Sequence, residues 1–235
     1  MKLTLALLLS LVSVSVNPVS VERRALDEIV LDEFLTEVLT DAEGAGDDHL
    51  ASIIWFPSVY WEAMMARDTT TSEFDKQAIL EVMEDISLVA VTQADISPFG
   101  SFRFYPKKEV EKNLSISYQD TKGDQRRIHP IKNIGPDLSL VLGAIEPMMA
   151  AVAGNFGENM HFFVISESPS KDVRILDAYR KGRLDVRLSR SDEVLMHASI
   201  ETPLNSLFVP RVCPNGKEAH VSWNYCPWTG KRLEK

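Results

Sequence analysis

Residues 183–200, RLDVRLSRSDEVLMHASI, carry the clearest strand pattern of the chain. The two halves of this stretch alternate between apolar and polar side chains, and the polar segment 190–192 separates them. Strict alternation places each set of side chains on one face of a strand. The pattern therefore predicts an antiparallel β-hairpin with one buried face, whose apolar positions are Leu184, Val186, Leu188, Val194, Met196, Ala198 and Ile200.

Further strand patterns precede this hairpin. Apolar or alternating segments predict strands at 88–91, 101–105, 114–118, 126–131 and 160–166. The sequence Asp120-Thr-Lys-Gly-Asp124 lies between the third and fourth of these and predicts the turn of a second hairpin. Residues 50–56 fit either a strand or a connector.

Helical spacing of apolar residues predicts helices at 22–42, 57–67, 72–85 and 136–153. Pro57 suits the first position of a helix, and Ser72 with Asp75 resembles a capping box. The last helix is the most apolar, so we expect it to lie centrally in the core, with a kink at Pro147. N-terminal helices followed by an antiparallel meander with one embedded helix predict an α+β fold.

The N-terminus has the layout of a secretory signal peptide. Lys2 precedes an apolar run at 3–16, and Pro18 follows it. The run is shorter than the roughly 20 residues that cross a bilayer, so cleavage at Ser15 or Ser20 is favoured over an uncleaved anchor. We expect an exported protein, periplasmic or extracellular, with a signal peptide at 1–20, a globular domain at 21–208 and a tail at 209–235.

Charge and hydropathy limit the classes of partner. The net charge of −9 opposes nonspecific binding to nucleic acid. No segment after the leader is apolar enough to predict a membrane span. We therefore expect no nucleic-acid partner, and no membrane span once the leader is removed.

Two short segments of the tail repeat one motif, Cys213-Pro-Asn-Gly-Lys217 and Cys226-Pro-Trp-Thr-Gly-Lys231. Each resembles one knuckle of a zinc ribbon, normally Cys-Pro-x-Cys-Gly-Lys, but lacks the second cysteine. A closed tetrahedral zinc site usually has four ligands. We therefore expect no bound metal and no cofactor, and the alternative is a metal ion held by Cys213, His220 and Cys226.

The resemblance to a zinc ribbon also implies a disulfide between Cys213 and Cys226. The first cysteines of two knuckles ligate the same metal in such a ribbon, so their backbones lie close enough for a bridge. Export favours oxidation, and closing this loop would stabilise the fold by about 3 kcal/mol. Two free thiols, or thiols bound to zinc, remain the alternatives.

The tail is rich in aromatic residues, namely Trp223, Tyr225 and Trp228. A ribbon this small has little interior, so these rings must pack on the main domain or face a partner. Packing on the main domain is the favoured alternative, because amphipathic rings bury well. Exposure would make them candidates for binding a partner, since aromatic residues anchor interfaces.

Catalytic motifs are scarce. The chain contains no Gly-x-Ser-x-Gly elbow and no phosphate-binding glycine loop. His161 lies at the start of a predicted strand, where it would either be a hydrogen-bonded structural residue or the centre of an envelope hydrolase. We expect binding rather than catalysis: a non-catalytic domain of the cell envelope or exterior, with an unknown protein partner.

Four segments carry a resemblance to a known family: 55–62 (WFPSVYWE), 97–100 (SPFG), 157–163 (GENMHFF) and 224–230 (NYCPWTG). The chain resembles an uncharacterised family of exported bacterial proteins with a degenerate, zinc-ribbon-like C-terminal tail. The resemblance implies export and brings no known activity.

Overall fold

The computed structural model describes residues 21–41, 43–44, 48–152, 154–168, 174–190 and 193–233. The expected signal peptide at 1–20 lies outside these residues, as do positions 191 and 192 of the predicted hairpin turn. Within the described ranges, helices and antiparallel sheets form an α+β fold, as the sequence predicts.

The first sheet contains β1 (Leu39–Asp41), β3 (His49–Phe56), β4 (Ile86–Ile96), β5 (Phe102–Phe104) and β8 (His161–Ser166). β4 lies at its centre and pairs antiparallel with β3 on one side. On the other side it pairs with β8 along its first half and with β5 at its end. The ambiguous segment 50–56 is thus a strand, and the burial of Ala51, Ile53, Trp55 and Phe56 explains why it is almost wholly apolar.

The second sheet has the strand order β2 (Glu43–Gly44), β10 (Glu193–Thr202), β9 (Gly182–Arg190), β6 (Leu114–Gln119) and β7 (Gln125–Ile128). All its pairs are antiparallel, and both predicted hairpins, β6–β7 and β9–β10, are confirmed. One predicted position was wrong. Val194 is exposed, because a register shift between Val194 and Met196 turns the neighbouring Leu195 into the core instead.

The helices are α1 (Leu31–Val38), α2 (Ser58–Arg67), α3 (Glu73–Val82), α4 (Lys107–Asn113) and α5 (Pro136–Val152). Short 3-10 turns occupy Leu26–Glu28, Gly154–Asn159 and Asn205–Leu207. The helix predicted over 22–42 is therefore too long: α1 ends at Val38, because the next three residues pair with β3 as β1. This pairing overrides the weak helical preference of the segment.

The predicted start of α3 is confirmed, whereas α2 begins at Ser58, one residue later than predicted. Pro57 precedes the first turn of α2 in an extended conformation. Ser72 caps α3, where its Oγ accepts a hydrogen bond from the Asp75 N–H at 3.2 Å. The connection between the two helices is held by Asp68, whose carboxylate accepts the Thr70 N–H at 2.7 Å.

α5 is present within one residue of its predicted bounds, with Pro147 inside it. Its buried positions are Leu142, Ile145 and Met149, whereas Leu140 is exposed. The helix therefore contributes a single stripe of side chains to the main core.

One continuous core joins both sheets to α1, α2, α4 and α5. Its largest fully buried side chains include Trp55, Trp61, Phe34 and Phe56. The tail has a second, much smaller core of Cys213, Ala219, Cys226 and Leu233. Among the described residues, no helix has both the length and the apolar character needed to cross a bilayer.

Candidate functional site

The tail contains two matching turns. The short strand pair β11 (Arg211–Val212) and β12 (Glu218–Ala219) flanks the first turn, and an isolated antiparallel bridge between Tyr225 and Arg232 flanks the second. The Cys213 N–H donates to the Lys217 carbonyl, and the Gly216 N–H donates back to the Cys213 carbonyl, each at 2.8 Å. The second segment repeats this pair of bonds at the same distance, from Cys226 to the Lys231 carbonyl and from Gly230 to the Cys226 carbonyl. The knuckle shape is therefore kept in both turns although each lacks its second cysteine.

The two thiols lie together inside the tail. Both are free and buried, with 3% of Cys213 and 1% of Cys226 exposed. The two thiols lie close enough to shift each other's pKa, and the Thr229 hydroxyl and the backbone N–H groups of Trp228 and Thr229 lie near Cys226. The structure thus brings together the pair for which we expect a disulfide, while the bridge itself stays a prediction.

This geometry separates the acidities of the two thiols. Burial alone raises the pKa of Cys226, but the hydrogen bonds it accepts outweigh burial and lower the pKa to about 7. For Cys213, burial together with the hydrogen bond and charge of Cys226 raises the pKa to about 11. Cys226 is therefore the thiol that ionises first.

His220 does not join the two sulfurs. Its Nδ1 lies 2.8 Å from the Ser222 hydroxyl oxygen, and its ring lies 6.0 Å from that of Trp223. In the described part of the chain, no three His, Cys, Asp or Glu side chains are grouped so as to hold a metal ion. The alternative of a metal site at Cys213, His220 and Cys226 therefore lacks its third ligand in this structure.

The three aromatic residues of the tail are exposed, with 37% of Trp223, 60% of Tyr225 and 49% of Trp228 accessible to solvent. The favoured expectation, that they pack on the main domain, is not what the structure shows. Trp223 and Trp228 instead pack edge to face with ring centroids 5.9 Å apart, and Lys217 Nζ lies 4.9 Å from the Trp228 centroid. A ribbon with so little interior buries its thiols and leaves these rings outside.

The tail is nevertheless fixed to the domain. Val221 is buried in the main core, and its N–H donates to the Asn205 side chain at 2.8 Å. The N–H groups of Asn205 and Ser206 donate in turn to the carboxylate of Glu37 on α1, at 2.8 and 2.9 Å. Arg211 binds the tail from within, donating to the Val221 carbonyl at 2.9 Å. The exposed aromatic residues are therefore held in a defined orientation relative to the domain.

Charge also distinguishes the tail. Residues 209–235 contain five Lys and Arg and two Asp and Glu, whereas the whole chain contains 25 and 34. The remaining 208 residues therefore carry 20 basic and 32 acidic side chains. Lys217, Lys231 and Arg232 are exposed; Lys217 lies against the Trp228 ring, and Arg232 pairs with Tyr225 through a backbone bridge. A basic, aromatic tail is thus attached to a strongly acidic domain.

His161 has a structural partner. It begins β8, where its Nε2 lies 2.7 Å from the backbone carbonyl oxygen of Tyr105 at the end of β5. An imidazole N–H that donates to a carbonyl in this way joins two segments of the first sheet. This contact does not favour the hydrolase centred on His161.

A group that resembles a catalytic triad lies on the outer face of the second sheet, and the sequence patterns did not reveal it. Asp185 Oδ1 accepts the Ser199 hydroxyl at 2.6 Å and lies 3.0 Å from His197 Nε2. The same Nε2 also lies 3.3 Å from the Ser199 Oγ. A proton relay needs the acid and the serine on different ring nitrogens, so this group is an ion-pair and hydrogen-bond cluster.

A second polar cluster missed by the sequence patterns surrounds Glu167, which is 1% exposed. Its carboxylate accepts the Ser58 N–H at 2.7 Å and the Ser58 hydroxyl at 2.9 Å, and it also binds Ser87 and Arg174. Two features of the sequence could have indicated this cluster: a serine in the first turn of a helix, and an isolated acid directly after a buried strand. All these donors point at one carboxylate, so the cluster fixes α2 to the end of β8.

A polar cleft of about 420 Å³ adjoins this cluster and is lined by Glu62, Arg174 and Tyr179, among others. Burial raises the pKa of Glu62, an effect that Arg174 opposes and Glu167 reinforces. A carboxyl group with a raised pKa in a cleft is a feature that functional sites share with structural ion-pair networks. In this cleft Arg174 already pairs with Glu167. We therefore interpret the cleft as part of a structural ion-pair network and not as a functional site.

Comparisons with protein-family models, with curated proteins and with solved structures gave no match. The resemblance to a family of exported bacterial proteins therefore stays a prediction.

Proposed function

We propose that this protein is an exported, non-catalytic binding protein whose tail contacts an acidic surface on a protein partner. The observation that carries the proposal is the exposure of Trp223, Tyr225 and Trp228 on a tail that is fixed to the domain. Trp and Tyr are the residues most enriched at interface hot spots.

Fixed aromatic side chains favour binding for a thermodynamic reason. Each rotamer-rich side chain that becomes immobile on binding costs roughly 0.5–1.5 kcal/mol. Trp223 and Trp228 already pack against each other, and Lys217 already lies against the Trp228 ring. These side chains have therefore lost part of their rotational freedom in the free protein, so less is lost on binding. This supports a preformed contact surface.

Charge complementarity sets the class of partner. The tail exposes the cations Lys217, Lys231 and Arg232; Lys217 lies against the Trp228 ring, and Arg232 pairs with Tyr225. Opposite charges across an interface accelerate association and suppress wrong partners. An acidic protein surface, with carboxylates placed to meet these cations, fits this arrangement.

The thiol pair supports the same surface. We propose that Cys213 and Cys226 form a disulfide after export, which would close the tail below the aromatic residues. The supporting observation is that the two cysteines are buried together in the small core of the tail, where each shifts the pKa of the other. A bridged tail would hold the rings in place outside the cytoplasm, where oxidation is favoured.

Photocrosslinking in intact cells tests the proposal. A benzophenone amino acid replaces Tyr225 or Trp228 in the exported full-length protein, and the matched controls carry it at Phe74 or Phe99, which are exposed elsewhere. We expect adducts of acidic envelope or extracellular proteins from the tail positions, and loss of these adducts when Lys231 and Arg232 are both changed to Glu.

Adducts that are equally frequent at Phe74 and Phe99 would contradict the proposal, because they would report random collisions. Adducts that survive the charge reversal would contradict the acidic partner. Crosslinks found only between two copies of this chain would contradict a separate partner and would indicate self-association.

A further inference from the structure

An apolar cavity of about 400 Å³ lies between the first sheet and the helices that cover it. β3 and β4 form its floor, and α1, α5 and the 3-10 turn Gly154–Asn159 contribute its walls. The apolar lining includes Leu35, Ile54, Phe56, Met149 and Met160. An apolar cavity of about 150 Å³ binds benzene, so this one has room for a molecule of roughly a dozen non-hydrogen atoms.

The floor of the cavity carries two hydroxyl groups on paired strands. Ser52 of β3 and Thr92 of β4 are directly opposite each other, and both line the cavity. Thr92 is 1% exposed, and its hydroxyl has no hydrogen-bond partner among the described residues. A buried hydroxyl without a partner has lost its hydrogen bonds to water without replacement, which destabilises the fold. The same face of β4 carries Ala90 and Ala94 on either side, so packing alone does not require a hydroxyl here.

The lining also excludes a charged ligand. None of the described residues that line the cavity is charged. An ionised group placed there would lose its hydration without gaining a counter-ion. The complementary ligand is therefore neutral and mostly apolar, with one hydrogen-bonding group.

The cavity is bordered by apolar side chains that remain partly exposed. Leu39 is 46% exposed and Phe156 is 38% exposed, and both line the cavity. Phe156 also packs edge to face against Phe102 and Phe104, at 5.7 and 6.0 Å between centroids. An exposed apolar border of this kind is typical of ligand-binding grooves.

We propose that this cavity binds a small neutral molecule, largely apolar and with a single hydroxyl or carbonyl group that pairs with Thr92 Oγ1. The two methionines in the lining suit a range of shapes, because their side chains are flexible and polarisable. The site lies on the first sheet and does not depend on the role proposed for the tail.

Three probes that share one ring system test the proposal on the full exported protein at pH 7.5: naphthalene, 2-naphthol and 2-naphthoate. Titration calorimetry measures each affinity. We expect saturable binding of 2-naphthol, about fivefold weaker binding of naphthalene because the hydrogen bond is absent, and at least tenfold weaker binding of the anion. No saturable binding of 2-naphthol, or equal affinity for the anion, would overturn the proposal.

Two variants test whether the ligand binds next to Thr92. Thr92→Val removes the unpaired hydroxyl at nearly constant shape, so it is expected to fold normally and to abolish the preference for 2-naphthol over naphthalene. Thr36→Val, on the exposed face of α1, is the matched control and should keep that preference. A preference that persists in Thr92→Val would show that the hydroxyl is not the partner.

Ser52→Phe fills the cavity and should reduce binding of both neutral probes at least tenfold. Where this variant fails to fold by circular dichroism, Leu39→Trp narrows the border from an exposed position and should weaken binding severalfold. Unchanged affinity in a folded filling variant would place the probes elsewhere and overturn the site.

Discussion

Glu167 accepts the backbone N–H of Ser58 at 2.7 Å, so a carboxylate from the end of β8 closes the first turn of α2. The same carboxylate accepts the Ser58 hydroxyl and the side chains of Ser87 and Arg174. Helix N-termini favour negative charge because their first N–H groups are unpaired. A single buried acid thus joins a helix, two strands and an arginine that are far apart in the chain.

Replacing this acid should cost much of the stability of the fold. Glu167→Gln keeps the shape but exchanges an acceptor for an NH₂ donor and leaves Arg174 without its counter-ion. We expect the free energy of unfolding in urea to fall by about 2–4 kcal/mol. Glu33→Gln removes the partner of Arg24 in an exposed ion pair and is expected to cost less than about 1 kcal/mol. Similar losses in the two variants would contradict a structural role for the buried acid.

The Glu167 cluster also shows where sequence patterns reach their limit. Local alternation predicted the β9–β10 hairpin, and local capping residues predicted the start of α3, because neighbours in the chain decide both. Ser58 and Glu167 are 109 residues apart. Their contact depends on how β8 pairs with β4, which no local pattern determines. The exposure of Trp228 was missed for the same reason, since the docking of the tail depends on Asn205 and Glu37.

Asp185 should make stability sensitive to acid. Burial raises the pKa of this carboxyl group, but hydrogen bonds from Ser199, His197 and Arg183 outweigh burial and hold the pKa below its usual range. A depressed pKa stabilises the fold fully above the unfolded-state value of about 3.9, and this contribution is lost as the pH falls through the folded-state value. Asp185→Asn should therefore be less stable than wild type above about pH 5, with a difference that shrinks below about pH 4.

Urea unfolding at several pH values measures this difference. Ser199→Ala removes one of the three donors and should show a smaller effect with the same pH dependence. A difference between wild type and Asp185→Asn that stays constant down to pH 2 would contradict the depressed pKa.

Substitution of a knuckle glycine should destabilise the tail, and backbone strain alone should cause the loss. Gly216 has a φ of +81°, and a Cβ atom added there would meet no atom within 4 Å. Gly216→Ala should therefore destabilise the tail by about 1 kcal/mol, from the left-handed conformation only. Gly143 in α5 also has open space around it but lacks the positive φ, so Gly143→Ala should stabilise the protein by about 0.5–1 kcal/mol. Effects of the same sign in urea unfolding would contradict this account.

The two cysteines should differ sharply in reactivity when reduced. The pKa of Cys226 is lowered to about 7 and that of Cys213 is raised to about 11, and the thiolate is the reactive form. Oxidation by glutathione disulfide should therefore begin at Cys226, whose sulfur displaces one glutathione thiolate. Cys213 then loses its proton and attacks the Cys226 sulfur, which releases the second glutathione.

The rate of this oxidation should rise with pH around 7, well below the range of an ordinary thiol. Mass spectrometry follows the loss of two hydrogens from the purified protein. The oxidised form should unfold at a higher urea concentration than the reduced form, and the Cys213→Ser/Cys226→Ser double variant should not respond to reductant.

Variants with a single cysteine allow the reactivity of each sulfur to be measured separately. In Cys213→Ser the remaining Cys226 keeps the Thr229 hydroxyl and two backbone N–H groups as partners, whereas in Cys226→Ser the remaining Cys213 has none of them. Both thiols are similarly buried, so access to the reagent does not distinguish them. Alkylation by iodoacetamide at pH 7.5 should therefore be at least tenfold faster in Cys213→Ser, by the ratio of thiolate populations. Equal rates, or a faster reaction in Cys226→Ser, would show that the hydrogen bonds at Cys226 do not set its acidity.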